Sequence, residues 1–149
     1  IFTYHFQIGS GKNATHHHYT IFEFSLTGSF PHIYLNRINN RYGRETGEHI
    51  PIPNEFEKKF KLYAPQEYEI ETLEIFTPDI LSTLLADDFP HDVEIVDREL
   101  LIFREKVIHT REEIEQEFNK AIRLYRHLSP KLNAARFARI GDRSPYLKT

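Results

Sequence analysis

The chain has 149 residues, 40% of them hydrophobic and 28% charged, values that suit one globular domain with a sizeable core. It contains no cysteine, which excludes disulfides, thiol catalysis and thiolate metal sites. The net charge of −3 is uneven, because residues 130–149 are basic and the rest of the chain is acidic. An acidic domain with a short basic end is not typical of nucleic-acid-binding proteins, which carry a basic face on the fold itself.

The first half of the chain is predicted to form strands. Apolar and polar residues alternate over residues 2–8 and again over 18–27, and the polar loop between them predicts a hairpin. A third strand is predicted over 31–38 and a fourth at about 60–64. The long hydrophilic segment between these two predicts an irregular loop with one helical turn near its end.

A short helix and a second hairpin are predicted next. Thr77 is placed to cap a helix that begins at Pro78, because proline suits the first helical position and Asp79 complements the positive helix end. Apolar residues then alternate from Val93 to Phe103 around the polar triplet 97–99, which favours a hairpin with its turn there.

The last strong element is a helix from about Arg111 to Leu128. Thr110 and Glu113 form a capping box at its start, and Ser129-Pro130 is predicted to stop it. Its predicted apolar face consists of Ile114, Phe118, Ala121, Ile122, Tyr125 and Leu128.

The order of elements predicts an α+β fold with a largely antiparallel sheet, one short helix and a long C-terminal helix. We expect a single domain over residues 1–129, followed by a basic, flexible tail over 130–149.

The glycine-rich loop GSGKN does not fit a nucleotide-binding loop. The pattern G-x-x-x-x-G-K-[ST] would require glycine at position 6 and a hydroxyl residue at position 13, and these are Phe6 and Asn13. The Asn13-Ala14-Thr15 glycosylation pattern is short enough to arise by chance. We therefore predict no nucleotide site and no cofactor site.

Three consecutive histidines open a second possibility. Alternate residues of a strand share a face, so His16 and His18 can reach one metal ion while His17 points away. A third ligand is needed, and His5 across the hairpin is a candidate. The alternative interpretation is a solvated hairpin arm with three polar side chains.

No catalytic constellation is predicted. The glutamates that crowd the start of the last helix, including Glu117, are explained by their favourable interaction with the helix N-terminus. His91 and His109 adjoin predicted element ends, where a capping or surface role is the ordinary interpretation. The G-x-S-x-G pattern of a nucleophile elbow is absent from the sequence.

Four phrases in the central sequence are GSFPHIYLNR, EFEKKFKLYAP, LEIFTPDILSTLLAD and VEIVDRELLIF. Together they resemble a bacterial family of uncharacterised proteins in which a soluble domain follows N-terminal transmembrane helices. The similarity covers roughly residues 6 to 105. It rests on short motifs that mark the ends of strands and the starts of helices, such as Pro31-His32-Ile33 and Thr77-Pro78-Asp79. The resemblance implies a membrane-associated protein with its anchors upstream of Ile1, and it supplies no catalytic residues.

We therefore expect a non-catalytic domain of a bacterial membrane-associated protein, on the cytoplasmic side, that acts through protein or lipid-surface contacts. A chain that begins at Ile1 and lacks methionine agrees with a piece of a longer protein. The alternatives are a metal-binding domain that uses His16 and His18, and a small hydrolase.

Overall fold

One long strand runs through the centre of the sheet and pairs with three others. The computed structural model describes residues 1–40, 47–135 and 137. The strands are β1 (Phe2–Ile8), β2 (Thr15–Arg37), β3 (Glu48–Ile50), β4 (Phe60–Ala64) and β5 (Asp92–Glu105). The helices are α1 (Asn54–Glu57), α2 (Glu69–Ile75), α3 (Pro78–Ala86) and α4 (Arg111–Ala134).

All the strand pairs are antiparallel. β2 pairs with β5 along most of its length, with β1 near its N-terminal end and with β4 near its C-terminal end, and β3 pairs with β4. This arrangement confirms the α+β fold with a long C-terminal helix. The structure adds β3 and α2, which the sequence did not predict, and α1 supplies the helical turn that was expected before β4.

The predicted second and third strands are one continuous strand, so the break expected between them is wrong. The register between β2 and β5 shifts between Ser25 and Phe30 and again between Phe30 and Ile33. Pro31 lies in this irregular part, where a residue without an N–H is tolerated within a sheet. Before these shifts the even-numbered residues of β2 face the helices, as Phe22 does. After them the odd-numbered residues face the helices, as Ile33 does.

The hairpin predicted between Val93 and Phe103 is also wrong, because β5 crosses this region as a single strand. Asp97 has a positive φ of 51° and pairs with Phe30 at the register shift. An irregularity of this kind moves the buried face from Val93 and Ile95 to Leu100 and Ile102. In the sequence, this irregularity changes the alternation of apolar and polar residues in the same way that a turn would.

Helices α2, α3 and α4 cover one face of the sheet, which we call the inner face. Its core includes Phe22, Leu35, Leu81 and Leu128, all nearly or fully buried. α3 begins at Pro78 as predicted, but the Thr77 hydroxyl donates to the Asp79 carboxylate, at 2.5 Å, and makes no cap to the backbone.

The predicted helix stop at Ser129-Pro130 is wrong, because α4 continues through Pro130 to Ala134. Proline within a helix removes one hydrogen bond and costs about 3 kcal/mol. Leu128 and Leu132 are buried on either side of it, and burial of each contributes about 2 kcal/mol, which offsets that cost. Of the predicted tail, residues 130–135 and 137 are described, and Phe137 packs against the core. The remainder lies outside the described residues.

The apolar stripe of α4 is rotated from the one predicted. Ile114 and Phe118 are 41% and 37% exposed, so their predicted place on the buried face is wrong. The buried residues of the helix are Glu117, Ala121, Leu124, Leu128 and Leu132. Within the described residues, none of the helices is both long enough and apolar enough to span a membrane.

Candidate functional site

The first two strands form an arm with two different faces. β1 and β2 pair in antiparallel register from Phe2 opposite Ile21 to Ile8 opposite Thr15. Residues directly opposite each other in such a pair share a face. The predicted hairpin is therefore confirmed, with a 3-10 turn at Gly11–Asn13 between the strands. We call residues 1–21 the β1–β2 arm.

One face of the arm is aromatic. The Phe6 ring lies 4.8 Å from the His17 ring and 5.8 Å from the Tyr19 ring, and Tyr4 lies 5.8 Å from Phe6. Tyr19 continues this face into the outer side of the sheet, where it meets Phe103 at 6.3 Å. Stacking at these distances stabilises the arm without any contribution from a helix.

The other face carries the histidines singled out in the sequence. His5 lies opposite His18 in the register, and their rings stack with centroids 4.3 Å apart. His5 Nε2 lies 3.1 Å from His16 Nδ1. His17 is on the opposite face, where its Nδ1 lies 2.9 Å from Glu105 Oε1.

The arrangement of these rings bears on the metal hypothesis. Within residues 1–40, 47–135 and 137, no three or more His, Asp or Glu side chains are arranged to hold a metal ion. Metal binding by His16 and His18 stays a prediction.

The outer edge of β1 has no strand beside it among the described residues, since β1 pairs with β2 alone. The side chains along this strand are unusually apolar for an edge: Phe2, Tyr4 and Ile8 are 42%, 53% and 59% exposed. Residues 1–8 contain no charged side chain other than histidine and no proline, the residue types that ordinarily protect an edge strand from pairing.

A cluster of charged residues around the buried Glu117 and His91 lies between β5 and α4, far along the chain from the arm. Arg104 donates to both carboxylate oxygens of Glu117, through Nε at 3.1 Å and through Nη2. Lys106 Nζ approaches the same carboxylate at 3.3 Å. His91 Nε2 lies 2.7 Å from Glu117 Oε2, an ion-pair distance, but neither ring nitrogen of His91 has a partner with hydrogen-bond geometry among the described residues.

The electrostatics of the cluster follow from burial and the neighbouring charges. Burial lowers the pKa of His91, and Glu117 opposes that shift only in part. Burial also acts to raise the pKa of Glu117, but the proximity of His91 and Arg104 outweighs it, and the pKa of this carboxyl is lowered. Arg104 and Lys106 are two basic side chains whose nitrogens lie within 3.3 Å of the Glu117 carboxylate.

A second buried carboxylate, Asp92, begins β5. It accepts hydrogen bonds from the Tyr34 hydroxyl at 2.6 Å, the Arg37 backbone N–H at 2.7 Å and the Asn40 side-chain amide at 2.9 Å. Burial raises its pKa to about 6, and the hydrogen bonds from Tyr34, Arg37 and Asn40 limit the rise.

The three buried polar residues His91, Asp92 and Glu117 were not identified from the sequence. His91 was interpreted as a capping or surface residue, which is wrong because it is fully buried. Glu117 was assigned to the helix N-terminus, although it lies one turn before Ala121 on the buried stripe of α4. An acidic residue in register with the apolar stripe of a helix was the signal that could have identified a buried partner.

No family model matches this sequence, and no match to it was found among curated proteins or solved structures.

Proposed function

We propose that this chain is a binding domain that acts through protein contacts, and that β1 is the edge onto which an extended segment of a partner protein adds a strand. The single observation that carries the proposal is the open edge of β1, with exposed Phe2, Tyr4 and Ile8 and no protecting charge. Strand addition supplies affinity through main-chain hydrogen bonds and specificity through alternate side chains.

The two faces of the β1–β2 arm define the chemistry of that partner. Side chains of an added strand alternate between the aromatic face, at Phe2, Tyr4 and Phe6, and the histidine face, at His5. Apolar residues at every second position would pack on the aromatic rings. Polar or acidic residues at the intervening positions would lie beside His5. The expected partner segment is therefore extended, amphipathic and free of lysine and arginine on its histidine side.

The location of the arm also supports this proposal. Its histidine face lies on the inner face of the sheet, the face that α4 covers. Thr20 belongs to the histidine face and lies opposite Arg104 in the strand register, and Arg104 donates a hydrogen bond to Glu117 of α4. His5 and His16 are nevertheless exposed, so the helical layer does not cover this end of the sheet. An added strand could therefore reach the edge and both faces.

The test is site-specific photo-crosslinking of the full-length protein in its native cells. A photoreactive phenylalanine analogue at Tyr4 is expected to yield a discrete crosslinked protein, and mass spectrometry then identifies the crosslinked segment. The same analogue at Ile70, which is 72% exposed on α2, is the matched control. A companion Phe2→Lys substitution should abolish the Tyr4 crosslink, because a charge on an edge strand opposes pairing.

Equal crosslinking from Tyr4 and Ile70 would contradict the proposal. A crosslinked partner whose contact segment is helical, or whose crosslink survives Phe2→Lys, would show that protein contact at the arm does not use strand addition.

The membrane-associated setting implied by the family resemblance is part of the same proposal. A protein anchored upstream of Ile1 would hold the arm close to the bilayer, where its partner would also be found. Fractionation of the full-length gene product tests this: we expect it in the membrane pellet, resistant to high salt. Recovery in the soluble fraction would remove the membrane from the proposal and leave strand addition untouched.

A further inference from the structure

A groove of about 310 Å³ lies between α3 and α4, and neither the β1–β2 arm nor the buried carboxylates account for it. Its floor is apolar, formed by Leu84, Phe89 and Leu124. Lys120 and Arg123 of α4 line it as well, and both are exposed. The volume lies within the range of roughly 300 to 1,000 Å³ that small-molecule sites occupy.

Among the residues that the structure describes, the neighbours of Lys120 neutralise its charge only in part. Its Nζ lies 3.9 Å from Glu117 Oε1, but the same oxygen already receives Arg104 and Lys106, the latter at 3.3 Å. One carboxylate therefore faces three cations, and Lys120 is the farthest of them. The side of the groove formed by α4 consequently has an excess of positive charge.

Arg123 adds to this charge only in part, because its Nη1 lies 3.3 Å from Asp87 Oδ2 across the groove. Beyond Glu117, α4 contains no acidic residue as far as its end at Ala134. The helix dipole does not explain this pattern, since its effect is confined to the last turn and Lys120 and Arg123 lie about three turns or more before the end.

We infer that the groove between α3 and α4 binds a small apolar monocarboxylate. The carboxylate is held by Lys120 and Arg123, and the hydrocarbon part packs against Leu84, Phe89 and Leu124. Residues three apart on a helix lie on one side of it, so both cations can reach a single carboxylate. Charge-assisted hydrogen bonds fix its orientation, and the apolar floor favours a ligand that is not a bare anion.

The first experiment compares ligands by calorimetric titration of the purified chain. Octanoate and 3-phenylpropionate are the carboxylate probes, octanamide is the neutral analogue and inorganic phosphate is the anion without an apolar part. We expect at least one carboxylate to bind about tenfold more tightly than octanamide and than phosphate, since each lacks one of the two interactions. The tighter carboxylate identifies the ligand as aliphatic or aromatic.

The second experiment uses exposed positions, so that folding is preserved and can be checked by circular dichroism. The double variant Lys120→Ala/Arg123→Ala should lose the preference for carboxylate over amide. Asp87→Asn should strengthen carboxylate binding by about threefold, because it frees Arg123 from its ion pair. Arg126→Ala is the matched control, since Arg126 is an exposed cation of the same helix that does not line the groove.

Equal binding of octanoate and octanamide, absence of binding by either carboxylate at millimolar concentration, or a loss as large in Arg126→Ala as in the double variant would each overturn the inference. None of these measurements involves β1, so the inference does not depend on strand addition and can fail or succeed separately.

Discussion

Two carboxylates of this protein expose almost no surface, and yet their pKa values are shifted in opposite directions. Asp92 is 0% exposed and Glu117 is 3% exposed. Asp92 receives hydrogen bonds from neutral groups, and burial raises its pKa to about 6. Glu117 faces Arg104, Lys106 and His91, and its pKa is lowered although burial opposes this.

The two acids differ in the charge of their partners: Glu117 faces basic side chains, which favour its ionised form, whereas the partners of Asp92 are neutral donors. Arg37 donates its backbone N–H to Asp92, whereas its Nη2 donates to Asp88 at 2.9 Å. The two sites therefore contribute to stability with opposite dependence on pH.

Of the substitutions at the two buried carboxylates, replacement of Glu117 should change the free energy of unfolding most. Glu117→Gln removes the negative charge that Arg104 and Lys106 face, so the free energy of unfolding at pH 7 should fall by about 3 kcal/mol. Urea denaturation followed by circular dichroism measures this. Because the pKa of Glu117 is lowered from 4.5, its contribution is present above pH 4.5 and is lost as the pH falls below it, so the variant and the wild type should converge in acid.

Glu115→Gln is the control for that experiment, since Glu115 is exposed on the same helix and pairs with Arg111. Its effect should stay below about 0.5 kcal/mol. A loss for Glu117→Gln as small as that of the control would contradict the role assigned to the buried cluster.

The Asp92 site should show the opposite pH dependence. Its pKa is raised from 3.8 to about 6, so its favourable contribution is complete below pH 3.8 and is lost as the pH rises through 6. The wild type should therefore lose about 2 to 3 kcal/mol between pH 4 and 7 from this residue. Asp92→Asn should abolish that slope in urea midpoints measured across the range, whereas Asp97→Asn, at an exposed aspartate of the same strand, should retain it.

Removing one neutral partner of Asp92 tests whether the hydrogen bonds to this carboxylate limit the rise of its pKa. Tyr34→Phe keeps the ring packing but removes the hydroxyl that donates to Asp92, so the pKa of that carboxyl should rise further above 6. We expect a loss of about 1 kcal/mol at pH 7 and a smaller loss at pH 4.5, where Asp92 is protonated. Carboxyl carbon shifts in an NMR pH titration report the pKa, and an unchanged value would contradict the assignment.

A partly exposed carboxylate, Glu113, is the reference for both buried sites, and the smallest loss of stability is expected there. Backbone N–H groups of His109 and Thr110 lower the pKa of Glu113, which completes the capping box of α4. Thr110→Ala should cost less than about 1 kcal/mol in thermal or urea unfolding. Thr77→Ala is the matched control: Thr77 also stands at an N-cap but makes no side-chain cap, so a loss equal to that of Thr110→Ala would contradict this interpretation.

The sequence predicted elements whose signals are local. Strands β1 and β4 were predicted at the observed residues, and α4 begins with the predicted capping box because that box involves only residues 110–113. The wrong predictions share a cause. Continuity of β2 through Pro31 and of β5 through Asp97 depends on register shifts between strands that are far apart in the sequence. A local pattern cannot distinguish such a shift from a turn.

Local chemistry alone thus determined the α+β fold class, the first hairpin, the starts of α3 and α4, and the placement of His16 and His18 on one face. Tertiary structure decided the rest. Burial of Leu128 and Leu132 stabilises the part of α4 that continues beyond Pro130. The pairing of β5 with β2 places Arg104 and His91 next to Glu117. The physical reason is that burial and ion pairing depend on residues distant in the chain, whereas capping and alternation depend on neighbours.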